Sequence, residues 1–150
     1  MPWFEDYQVG QVRRFGRYEV TAQGVVDFAR RYDPQPFHLS EEGGRAHPYF
    51  GGLTASGWHV TAMAMAMLVA EMPEGGDPAA LGASGIDELR WLKPVKPGDL
   101  LSLETEVIDA RLSEGRPGLG RLQVRTTVLR QGDEPVCRFT ALVMVRTRPS

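Results

Sequence analysis

The sequence predicts an α+β domain in which one mainly antiparallel sheet wraps around a long buried helix. Three observations predict it. From Ala46 to Ala70 there is no Asp, Glu, Lys or Arg, and a helix that apolar all round must be covered by other elements. After it, several segments alternate apolar and polar residues and are parted by turn-forming residues, as half-buried strands are. Before it lie a single strand and an amphipathic helix. Helices segregated from an antiparallel sheet define the α+β class.

Each element follows from its own residues. Gln11 to Val20 reads as the first strand. Thr21 is an N-cap residue, and Val25, Val26, Phe28, Ala29 and Tyr32 recur at helical spacing, which predicts a helix over 21–32. Asp33-Pro34 ends it, because proline disfavours helical geometry in the residue before it. Glu41 to Tyr49 is charged and glycine-containing and reads as a loop. Leu53 to Glu71 is the long helix. Its alanines and glycine (Ala55, Gly57, Ala62, Ala64, Ala66) let strands approach, and Met63, Met65 and Met67 fill uneven gaps. Pro73 to Gly85 is a connection. Ile86 to Leu92, Leu101 to Ala110, Leu122 to Arg130 and Val136 to Arg146 are then strands. Pro97-Gly98-Asp99, the segment Ser113 to Gly120, and Gln131-Gly132-Asp133 join them.

Bulk properties narrow the function. A chain of 150 residues predicts one domain over 1–150. Its net charge of −2 leaves no electrostatic footprint for nucleic acid. The single Cys137 excludes an internal disulfide and suits a reducing compartment, so a cytoplasmic location is expected. The opening MPWFEDYQVG lacks the basic-then-apolar order of a secretory signal. The uncharged run is long enough to raise the question of a membrane span. It is broken by Pro48, Gly51 and Gly52 and carries Thr54, Ser56, His59 and Thr61, so a helix buried in protein is the expectation.

The candidate chemistry sits in "RRYDPQPFHLS", where Asp33 and His38 flank Pro34 and Pro36. Spacing alone also fits a helix-ending acid and a loop histidine on a wet surface. The prolines argue for fixed relative placement, since each locks φ. A carboxylate and an imidazole suit proton transfer near neutral pH. His47 and His59 have no metal-ligand spacing, so no metal site is expected. Ser56 lacks a nucleophile-elbow context. Thr54 and Ser56 are candidates to line a pocket or to cap the helix. Arg90, Lys93 and Lys96 fit a solvated face or a partner's phosphates.

"YDPQPFHLS" resembles the hydratase motif of MaoC-like dehydratases and (R)-specific enoyl-CoA hydratases. "FGGLTASGWH" and "WLKPVKPGD" resemble two further segments of that family, and the likeness runs from about Phe4 to Arg146. Gln35 stands where many members have asparagine, and Phe50 where a histidine is common. The resemblance implies a hot-dog fold, with Asp33 and His38 as the catalytic pair. It also implies Gly51 as the oxyanion-hole glycine with Gly52 beside it, at the start of the long helix. The implied reaction is reversible addition of water to a 2-enoyl thioester, as in fatty-acid metabolism. Coenzyme A would be part of the acyl-CoA substrate, with no separate cofactor. The implied assembly is a homodimer or a dimer of dimers. A thioesterase of the same fold, or a non-catalytic thioester-binding module, are the alternatives. The first would commonly place an acid on the long helix, where none occurs before Glu71.

Overall fold

The structure, a computed structural model, describes residues 2–150. After a 3-10 turn at Phe4–Asp6, the elements are β1 (Val12–Glu19), α1 (Ala22–Tyr32), α2 (Pro36–Leu39), α3 (Glu41–Arg45), α4 (Gly57–Ala70), β2 (Ala80–Trp91), β3 (Leu100–Leu112), β4 (Leu119–Arg130) and β5 (Glu134–Arg146). The strands form one five-stranded sheet in the order β1-β3-β4-β5-β2, with every neighbouring pair antiparallel. The sheet curls around α4 in the hot-dog arrangement.

The core lies between them. Val60, Met63, Ala64 and Met67 on α4 pack with Leu101 and Leu103 of β3, Val128 of β4, and Val136, Cys137 and Phe139 around β5. At Gly16 (φ +89°) the register of β1 against β3 shifts, and a β-carbon there would stand 2.9 Å from Met67 Sδ. The strand therefore bends over the helix where only a hydrogen fits. Burial does not run all round α4. Trp58, Met65 and Val69 are exposed in the single chain.

Two boundaries differ from the sequence expectation in ways that matter for the site. The segment 41–49, expected to be a loop, opens with α3. Ser40 caps it by accepting from the Gly43 N–H at 3.0 Å, and Glu41 and Glu42 occupy its first turn, where acids favour a helix N-terminus. The long helix starts at Gly57 instead of Leu53. Residues 53–56 are buried but not helical, because their main chain is bonded elsewhere. Thr54 N–H donates to Phe37 O at 3.2 Å, and Ala55 N–H donates to Val95 O at 2.8 Å.

Candidate active site

Asp33 and His38 are brought together by the stiff link between α1 and α2. Asp33 is the C-cap of α1, its N–H donating to Ala29 O at 2.8 Å. Gln35 is the N-cap of α2 and Pro36 its first residue, where a missing N–H costs nothing. The carboxylate and the imidazole thus face each other, with Asp33 Oδ2 3.4 Å from His38 Nε2.

Each partner is held from behind. His38 is 6% exposed, and its Nδ1 lies 2.6 Å from the carbonyl oxygen of Thr54. A carbonyl only accepts, so Nδ1 carries the proton and Nε2 is the nitrogen turned to Asp33. Gln35 Nε2–H donates to Asp33 Oδ1 at 2.7 Å. Burial pushes the Asp33 carboxyl up, but the nearby Ser56 hydroxyl and the Gln35 amide, with the charge of His38 when that ring is protonated, outweigh it and hold the pKa below the usual value. Ser56 Oγ is fully buried and forms no hydrogen bond of normal geometry, so its approach to Asp33 is looser than a made bond.

The pair opens on a cleft of about 410 Å³. Thr54, Ser56 and Gly57 form one wall, the segment from Trp91 to Val95 another, and Val60 and Val136 contribute apolar surface. Gly57 is the first residue of α4, and the Ser56 side chain makes no cap bond. The first N–H groups of a helix have no partner within it and carry the positive end of its dipole. Gly57 and Trp58 of that first turn line the cleft.

Of the expected residues, Asp33, His38, Thr54 and Ser56 all line the cleft. Gly51 and Gly52 do not. Gly51 is exposed, and Gly52 is packed where a β-carbon would stand 2.9 Å from Glu41 Oε2. The reason is the later helix start, which leaves the free amide ends at Gly57, six residues on from Gly51. Sequence reasoning missed Gly57, although "ASGW" offers a cap residue followed by glycine within the uncharged run. It also missed Trp91 and the anchoring role of Gln35. Cys137 is buried in the core, and burial pushes its thiol up to about 11, against Thr61 and a backbone contact. It is no nucleophile there. Among the described residues no group of three or more His, Cys, Asp or Glu is placed to hold a metal ion, and no helix is long and apolar enough to cross a membrane.

The family model described as "MaoC like domain" matches residues 6–129. The chain belongs to the MaoC-like family. Among solved structures, the MaoC-like dehydratase from Rhodospirillum rubrum is 40% identical, with a TM-score of 0.88 over 100% of both chains. Among curated proteins, YdeM of Bacillus subtilis strain 168, itself uncharacterised, is 27% identical over 95% of this chain and 97% of its own length. The mesaconyl-CoA hydratase of Cereibacter sphaeroides is 46% identical over 70 residues, which are 46% of this chain and 20% of that protein. This MaoC-like domain thus has hydratases and dehydratases among its relatives.

Proposed function

We propose that the protein is a hydro-lyase that reversibly adds water to a 2-enoyl thioester, such as an acyl-CoA, to give an (R)-3-hydroxyacyl thioester. The observation that carries the reading is the Asp33–His38 pair at 3.4 Å, with Nδ1 committed to the Thr54 carbonyl. In the neutral imidazole, Nε2 is an acceptor, so it and the carboxylate offer two acceptors to one water molecule. The oxygen of that water bonds to the β-carbon of the enoyl group. One of its protons passes to the pair, and the pair delivers a proton to the α-carbon. The thioester oxygen gains negative charge meanwhile. The Gly57 amide at the uncapped start of α4 is suited to receive it, in the role that the resemblance gave to Gly51. Coenzyme A enters as part of the substrate and no further cofactor is needed.

Thioester hydrolysis by an acid on the helix finds no support, since α4 carries neither Asp nor Glu. The test is crotonyl-CoA with the wild-type protein, following loss of the conjugated double bond and release of thiol separately. Hydration without thiol is expected. Asp33→Asn and His38→Ala, checked for folding by circular dichroism, should each lose about 10²–10⁴-fold in turnover. Near-normal turnover in both would remove the pair from the chemistry, and thiol release by the wild type would replace the reading with a thioesterase.

A further inference from the structure

We propose that Trp91 sets the length of the acyl group and restricts the cleft to short chains. The inference rests on the hydratase reading for the position of the thioester carbonyl at Gly57. The indole is fastened over the first turn of α4 by three contacts. Its six-membered ring lies against Gly57 so closely that a β-carbon there would overlap it. Its Nε1–H donates to Thr61 Oγ1 at 3.2 Å, and that hydroxyl donates to Gly57 O at 3.1 Å. It also meets the Trp58 ring edge-on, with centroids 5.1 Å apart at 78°. A large side chain at the end of an edge strand is thus held in one place beside the very residue that would bind the carbonyl.

The most deeply buried apolar lining does not yield. Val60, Val95 and Val136 are at most 3% exposed and belong to the closed core. An acyl tail running on from a carbonyl at Gly57 passes between that floor and the two tryptophans. Trp91 is a wall, and its truncation leaves the floor standing. A methylene that finds no room forfeits about fourfold in binding. Four methylenes, from a four-carbon to an eight-carbon acyl group, then forfeit a gain on the order of 10², so the longer group binds no better than the shorter.

The test uses trans-2-butenoyl-CoA and trans-2-octenoyl-CoA as substrates, read as a kcat/KM ratio. Saturated butyryl-CoA and octanoyl-CoA serve as ligands, read by calorimetry. Wild type should gain nothing from the four extra methylenes in either. Trp91→Ala should raise the eight-carbon to four-carbon ratio at least about tenfold, Trp91→Phe should leave it near the wild-type value, and Thr61→Val, which frees the indole, should fall between. A wild type that binds octanoyl-CoA at least about tenfold more tightly than butyryl-CoA overturns the proposal, as does Trp91→Ala with the wild-type ratios. If Trp91→Ala does not fold, Thr61→Val decides, and an unchanged ratio there counts against Trp91. Should the wild type hydrate neither thioester, the hydratase reading falls, while the binding ratios still decide the role of Trp91.

Discussion

The contact between Gly57 and Trp91 makes a prediction whose sign depends on background. In Gly57→Ala the new β-carbon would meet three atoms of the indole, the most distant of them, Cε3, at 2.9 Å. Carbon atoms pack at about 3.5–4.0 Å, so the ring or the first turn of α4 must shift by roughly 1 Å. Overpacking of this kind costs about 1–3 kcal/mol. Against it stands the reduced freedom of the unfolded chain when glycine becomes alanine, about 0.4–1 kcal/mol. Gly57 has no positive φ, so alanine suffers no backbone strain. The net expectation is a loss of about 0–2.6 kcal/mol. In a Trp91→Ala background the obstacle is gone, and the same substitution should stabilise by about 0.4–1 kcal/mol. Urea unfolding of the four proteins closes a double-mutant cycle, with an expected coupling of about 1–3 kcal/mol. A coupling near zero would refute the placement of the ring.

Two other expectations concern stability and assembly. His59 is buried, stacked on Phe28 with centroids 4.6 Å apart, and burial holds its pKa below 6.5. The unfolded chain therefore takes up a proton near pH 6.5 that the fold refuses, so stability falls as pH drops through that value toward the lower folded one. His59→Phe, which keeps the stack, should flatten this part of the profile in urea unfolding at pH 8 and pH 5.5, and parallel profiles would contradict it. The edge strand β2 exposes Leu81, Ile86 and Trp91, and α4 exposes Trp58, Met65 and Val69. An open edge beside an apolar helix face invites a second copy, so sedimentation at assay concentration should find a homodimer, and an active monomer would oppose it.

Much of the fold was legible because its signals are periodic. β3, β4 and β5 were readable from alternation, and the expected segments fall within the observed ones. β2 was read only from Ile86, whereas it begins at Ala80. Its first half, ALGASG, lies at the sheet edge, is largely exposed and has shifted register against β5, so no burial pattern marks it. α3 was hidden by Gly43 and Gly44, which looked like loop residues. They are there because the backbone of Pro36 and of Gly52 presses on them so closely that no β-carbon fits. In the site, Asp33 and His38 were legible because proline fixes a connection locally. The helix start was not. Residues 53–56 are drawn out of the helix by bonds to Phe37 and Val95, partners distant in sequence that no local pattern reveals.

The bond from His38 to Thr54 uses a main-chain oxygen, and the Thr54 N–H returns to Phe37 O. The imidazole is therefore oriented by an atom that every amino acid possesses. The Thr54 side chain adds only a long contact to Phe37 O at 3.5 Å and is 1% exposed, so the site asks of it little beyond size. Over evolutionary time this position is free to drift among small residues such as serine or valine while its function stays fixed. Proline is barred, since it would delete the N–H and with it the splice between the two segments. An anchor of this kind leaves a faint mark on an alignment, and a ranking of positions by identity alone would pass over it.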